Sequence, residues 1–177
     1  MACKVLAIVQ ARVSSTRLPG KVLKKVNGKP LIEILFHRLS KSKKIDEIIL
    51  ATSESSENDS LANLIKKRGY DVFRGSENDV LGRYFEAANK YQPKSVVRIT
   101  GDCPIIDPAI IDEVISLYEK ENANYASNTN PPTYPDGLDV EVFSFYSLEE
   151  ANKKAKTSHE REHVTPFIRA NNKLKNI

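Results

Sequence analysis

Tryptophan is absent from the 177-residue sequence, and cysteine occurs only twice, as Cys3 and Cys103. Two thiols cannot build a disulfide framework or a four-cysteine zinc site, so a reducing, cytoplasmic setting is the expectation. No apolar run approaches the ~18 residues that cross a bilayer, and no signal-peptide core follows Met1, so no membrane association is expected. Aromatic residues make up 7% of the chain, which is thin for the stacking platforms that hold single-stranded nucleic acid. Glycine and proline, at 7 and 9 residues, are too sparse for a low-complexity tract, and Leu, Ile and Val recur in periodic blocks. This length suits one domain, residues 1–177, which can bury roughly two-thirds of its unfolded surface.

Basic and acidic side chains number 27 and 23, but they are unevenly spread. Met1 to Lys44 holds 11 basic residues and one acid, Glu33, whereas the remainder is acidic overall. A basic block beside an acidic remainder reads as a local anion site and not as a surface coated for nucleic acid. Lys41, Lys43 and Lys44 read as the solvated end of a helix.

Hydrophobic periodicity alternates between strand and helix. Lys4–Gln10 is a short apolar run, read as a buried strand, and Ala11–Gly28 is a basic, Ser- and Gly-punctuated loop. Pro30 opens a helix carrying Leu31, Ile34, Leu35 and Leu39. Strands follow at Glu47–Thr52, Asp71–Arg74 and Ser95–Thr100. Helices lie between them: one capped by Asn58 or Asp59 and closed by Gly69, then Asp79–Tyr91 and Pro108–Glu121. The alternation predicts a three-layer α/β domain with a mostly parallel sheet. Beyond Tyr125 the rhythm breaks: Ser127–Gly137 is loop chemistry, Leu138–Phe143 a strand, and Ser147–Lys156 and Glu160–Ala170 helices.

Four segments carry chemistry. Ligands of open α/β sheets bind at the carboxyl ends of strands, where strand order reverses. The loop QARVSSTRLPGK, residues 10–21, follows the first strand and gathers Arg12, Arg17 and Lys21 with Ser14, Ser15 and Thr16. Fixed cations, hydroxyls and loop N–H groups suit a polyphosphate. Val22 stands where a P-loop needs Ser or Thr, and no GxGxxG is present. In RITGDCPIIDP, residues 98–108, Gly101 lets the backbone approach a ligand, and the Asp102 carboxylate can hold Mg²⁺ beside phosphate oxygens. Asp107 there reads as a helix cap before Pro108, and Cys103 has no base beside it in sequence. In YPDGLDVEVF, residues 134–143, Asp136, Asp139 and Glu141 lie close together, the last two on one face of a strand. They suit a second metal or the hydroxyls of a polar substrate. HEREH, residues 159–163, matches the HExxH zinc pattern. Charged Arg161 and Glu162 occupy its interior and no third ligand follows, so it reads as an amphipathic helix that offers charge to a groove or to a second subunit of a homodimer.

The first loop, together with RITGDCPIIDP, PDGLDVEVF and HEREHVTPFI, resembles the sugar-acid cytidylyltransferases, the CMP-ketodeoxyoctonate and CMP-sialic acid synthetases. The set is most similar to their spore-coat-polysaccharide branch. The resemblance covers nearly the whole chain and implies a Rossmann-like nucleotidyltransferase fold. It implies that CMP passes from CTP to a sugar acid with release of pyrophosphate, with Mg²⁺ as cofactor, in cell-surface or spore-coat polysaccharide synthesis. On this likeness Arg12, Ser15, Arg17 and Lys21 hold the triphosphate, and Arg74 and Ser76 reach the cytosine or ribose. Asp102 holds the magnesium, Arg12, Lys21 and Asp102 are the catalytic set, and Asp139 and Glu141 form the acceptor wall. A further metal-binding aspartate is implied beyond HEREHVTPFI, and none follows before Ile177, so the domain is expected to be truncated or short of part of its metal site. A metal-dependent glycosyltransferase using Asp139–Glu141, or a catalytically impaired nucleotide-binding domain, are the alternatives.

Overall fold

The computed structural model describes residues 4–14 and 18–177. In chain order these form β1 (Val5–Gln10), β2 (Lys25–Val26), β3 (Lys29–Pro30), α1 (Leu31–Leu39), β4 (Glu47–Ser53) and α2 (Asp59–Lys67). They continue as β5 (Asp71–Gly75), α3 (Val80–Asn89), β6 (Ser95–Thr100), α4 (Pro108–Lys120), β7 (Tyr125–Ser127) and β8 (Glu141–Ser144). The last three elements are α5 (Phe145–Lys154), α6 (Ser158–His163) and α7 (Pro166–Ala170).

A six-stranded sheet runs in the order β5-β4-β1-β6-β8-β7, and β2 pairs with β3 in a separate small hairpin. From β5 to β6 the pairing is parallel, and β8 runs antiparallel to both its neighbours. Strand β1 reads VLAIVQ and is buried up to Val9, because helices cover both sides of the sheet. Its side chains alternate with period two. Val5, Ala7 and Val9 pack with Leu35 of α1, Leu61 of α2 and Ile111 of α4. Leu6 and Ile8 pack with Tyr84 of α3, Leu148 of α5 and Ile168 of α7. The expected three layers and mostly parallel sheet are therefore present. Among the described residues no helix is long and apolar enough to cross a membrane.

Local chemistry sets most element ends. Asp107 caps α4 by accepting from Ala109 N at 2.8 Å, with Pro108 in the first turn where its missing N–H costs nothing. Asp79 caps α3 in the same way, accepting from Gly82 N. Gly69, with φ of 85°, ends the turn after α2.

Three expectations differ from the structure. Asn58 does not cap α2 through its side chain; that side chain is drawn away by Val13 and Ser53, as described below. The apolar segment near 138–143 pairs only from Glu141 onward, and Tyr125–Ser127, read as the end of the regular pattern, supplies the edge strand beside it. The single helix expected over Glu160–Ala170 is broken at Val164, which takes φ of 69°. Thr165 N donates back to His163 O at 2.8 Å, and Pro166 then starts α7.

Candidate active site

β4 and β5 extend the sheet to one side of β1, and β6 crosses to the other side. The loops after β1 and β6 therefore leave the carboxyl edge at the point where strand order reverses, which is where open α/β sheets bind ligands. Gly101 N donates to Gln10 O at 2.7 Å and ties the two strand ends together. The glycine serves this approach, and it also lines a cavity with Lys21 and Asp102. A Cβ at position 101 would stand 2.6 Å from Ala11 Cβ and 3.0 Å from Gln10 O.

The loop after β1 is held from outside itself. Buried Asn58 accepts from Val13 N at 2.8 Å, and its amide donates to Ser53 Oγ at 2.8 Å. Gly20 N donates to Val13 O at 2.9 Å and closes the loop. Ser15 and Arg17 lie outside the described residues. Arg12 is half exposed and stands 4.0 Å from Glu77, which also accepts from the Ser14 hydroxyl. Lys21 Nζ lies 3.0 Å from Asp102 Oδ2, which brings a cation of the first loop onto the carboxylate of the second. Burial pushes the Asp102 carboxyl up, but the Lys21 ammonium and the Thr100 hydroxyl outweigh it and hold the group below its ordinary value. Asp102 is thus an anion at neutral pH.

Three connected cavities run along this edge. One of about 600 Å³ is lined by Ser76, Asp79, Arg83 and Arg161. It shares Gln10, Arg12 and Arg83 with a cavity of about 320 Å³ that contains Lys21 and Asp102. That cavity shares Arg98, Thr100 and His163 with a third, of about 270 Å³, whose walls include Asp139 and Arg169.

The structure sorts the expected residues. Arg12, Lys21, Asp102, Ser76 and Asp139 come together on this cleft. Arg74 lies outside these three cavities. Its guanidinium donates to the carbonyls of Ser53, Glu54 and Ser55 and pairs with Asp59, clamping the loop after β4. Glu141 borders the third cavity, but its oxygens are engaged by Arg98, Tyr125 and Thr165. Burial, followed by the charges of Asp136, Glu141 and Asp102, raises the carboxyl of Asp139. Cys103 is buried with its thiol pushed up, first by burial and then by the acids around it, so it is no thiolate nucleophile.

HEREH is part of the cleft. Glu160 closes a capping box with Thr157, so the supposed base is a helix cap. Arg161 pairs with Asp79 and donates to Asn152, docking α6 on α3 and α5. Among the described residues no cluster of three His, Cys, Asp or Glu side chains could hold a metal ion.

Gln10, Arg83 and Arg98 were not singled out from the sequence. Among the described residues, Gln10 Oε1, Arg83 Nε and Arg98 Nε are buried without a hydrogen-bond partner, and all three residues line the cleft. Buried polar atoms left unpaired are few in folded proteins, and each calls for an explanation. A charged residue within the apolar strand SVVRIT was the one signal that could have exposed Arg98.

A family model described as cytidylyltransferase matches residues 6–176. The chain belongs to the cytidylyltransferase family. Among its relatives, an uncharacterized protein of Methanocaldococcus jannaschii is 44% identical over 97% of this chain and 69% of its own length. The spore coat polysaccharide biosynthesis protein SpsF of Bacillus subtilis is 36% identical over 93% of this chain and 70% of its own. A solved cytidylyltransferase from Leptospira borgpetersenii superposes with a TM-score of 0.92 at 36% identity, covering 98% of this chain and 74% of that one. A CMP:2-keto-3-deoxy-manno-octonic acid synthetase solved with CTP shares the fold, with a TM-score of 0.72 at 16% identity. The resemblance read from the motifs, including the likeness to SpsF, therefore holds, and so does the nucleotidyltransferase fold.

Proposed function

We propose that this cytidylyltransferase transfers CMP from CTP to a hydroxyl of a sugar acid and releases pyrophosphate, in a magnesium-dependent reaction. One observation carries the reading: Lys21, Asp102 and Arg12 converge on one cavity at the strand-order switch point. The acceptor hydroxyl attacks the α-phosphorus and gives its proton to solvent, the bond to the bridging oxygen breaks, and pyrophosphate leaves with that electron pair. Little covalent work falls to the protein, so positioning and charge neutralisation dominate.

Lys21 and Arg12 stabilise the charge that grows on the leaving pyrophosphate. Asn58 holds the loop that presents them, through Val13 N. The 600 Å³ cavity beside Ser76 and Arg83 takes the nucleoside, and the 270 Å³ cavity beside Asp139 takes the acceptor. The donor set suits Mg²⁺, because Asp102 and Asp139 offer hard oxygens and this ion binds one or two carboxylates with substrate phosphates and water. When bound, the ion supplies Lewis acidity at the phosphate. The likeness to SpsF supports a place in cell-surface polysaccharide synthesis.

Calorimetric titration with CTP tests the assignment. Lys21→Ala removes a charge-assisted contact and is expected to weaken CTP by at least roughly 1.5 kcal/mol. Unchanged affinity would remove Lys21 from the triphosphate site. Asp102→Asn is expected to abolish metal-dependent turnover while leaving the thermal midpoint nearly intact, and the reverse pattern would make Asp102 a structural residue.

A further inference from the structure

Arg98 is a cation set in the apolar strand β6, between Val97 and Ile99, which are fully buried. Its side chain is 16% exposed and borders both the Lys21–Asp102 cavity and the third cavity. Burying a guanidinium is costly unless it is paired, and Glu141 pairs it through Nη1. Glu141 is itself fixed from two further elements, since its Oε1 accepts from Tyr125 at 2.8 Å and from Thr165 at 2.7 Å. Thr165 reaches it through the turn at Val164, where a β-branched residue takes φ of 69°. That conformation is strained for valine, and strain of this kind persists mainly at functional sites.

This framework holds Arg98 without using it up. Glu141 claims Nη1; among the described residues Nη2 has no acceptor and is the nitrogen left for a ligand, whereas Nε, also without an acceptor there, is shut off from solvent. A guanidinium presents a planar fork that matches a carboxylate in two parallel hydrogen bonds. Thr100, Thr129 and Thr165 line the same cavity, the Thr165 hydroxyl being given to Glu141. We propose that Arg98 reads the carboxylate of the acceptor sugar and that Glu141 is its positioning residue. This rests on the CMP-transfer reading above and makes Arg98 a specificity-determining group. Glu141, expected from the sequence to touch the acceptor, acts through Arg98 instead.

The test uses the full chain, CTP and Mg²⁺, with 3-deoxy-manno-octulosonate and N-acetylneuraminate as acids and their methyl esters as neutral counterparts. Pyrophosphate release is followed, and CTP binding is measured separately. The wild type is expected to favour an acid over its ester by on the order of tenfold or more in kcat/KM. Arg98→Gln should raise the KM for the acid and erase the preference, with CTP affinity within about twofold of wild type. Glu141→Gln should weaken the preference in the same direction, again without loss of CTP. Arg98→Lys keeps the charge opposite Glu141 and so protects folding; losing the planar fork, it should still lose most of the preference. Retained preference in the Arg98 variants overturns the proposal, as does loss of CTP binding with the preference intact. A wild type that uses ester and acid equally overturns it while CMP transfer stands. No pyrophosphate release with any acceptor overturns both readings.

Discussion

Gly101→Ala is a one-methyl change at the floor of the cleft. Gly101 does not need a positive φ; it needs the space. An added Cβ would sit 2.6 Å from Ala11 Cβ, 3.0 Å from Gln10 O and 3.3 Å from Ala11 Cα. None of these atoms belongs to a flexible side-chain tip, so relief requires the ends of β1 and β6 to part. Overpacking of this kind costs about 1–3 kcal/mol. For a chain of this length each kcal/mol lowers the midpoint by about 2–4 °C, so a drop of roughly 2–12 °C is expected. The same movement strains the Gly101 N to Gln10 O bond of 2.7 Å and shifts Asp102 away from Lys21, now 3.0 Å distant. A misplacement near 1 Å is worth on the order of a hundredfold in rate. Thermal denaturation and CTP-dependent pyrophosphate release measure the two effects together. A midpoint unchanged within about a degree, with full turnover, would refute the claim that this close approach builds the site.

Three other outcomes are expected. Asn58→Ala leaves Val13 N and the Ser53 hydroxyl without their partner and should cost about 1–3 kcal/mol in urea denaturation, together with weaker CTP binding. The Asp79 carboxyl is raised by burial but lowered more by Arg161 and Gly82 N, so it lies below its ordinary 3.8 in the folded chain. Its stabilisation is therefore present above pH 3.8 and lost as pH falls through the lower folded value. The carboxylate is 40% exposed, so the amount is small, and an Asp79→Asn variant with an identical acid-denaturation curve would contradict it. Cys103→Ser should keep kcat within about twofold, because its buried thiol is not a thiolate at neutral pH; loss of turnover with folding intact would put the thiol back in the chemistry.

What could be read in advance was the local part of the structure. The apolar run of β1, the Asp107–Pro108 cap and the Gly69 stop all act within a turn or a strand of themselves. The convergence of Lys21 with Asp102 was also within reach, since both follow strands that had to end at one edge of a parallel sheet. Long-range choices were not. Asn58 looked like a helix cap because nothing nearby in sequence announces Val13, 45 residues away, as a competing donor. Asp139 and Glu141 share a period-two spacing, yet β8 starts only at Glu141, and Arg98, Tyr125 and Thr165 decide where that carboxylate turns. The break at Val164 had one local cue, Pro166, which has no N–H to give the carbonyl four residues back and so cannot continue the preceding helix. The left-handed turn itself depends on burying Val164 and Ile168 in the core shared with α3 and α5.

The central claim is that this cleft activates CTP for transfer to a sugar acid. Pyrophosphate release is its most direct measure, with CTP, ATP, GTP and UTP each offered alongside a panel of sugar acids and Mg²⁺. The expected result is release from CTP that requires both an acid acceptor and the metal, and that falls away in Lys21→Ala. Release from CTP that ignores the acceptor, or an equal response to all four nucleotides, would contradict it.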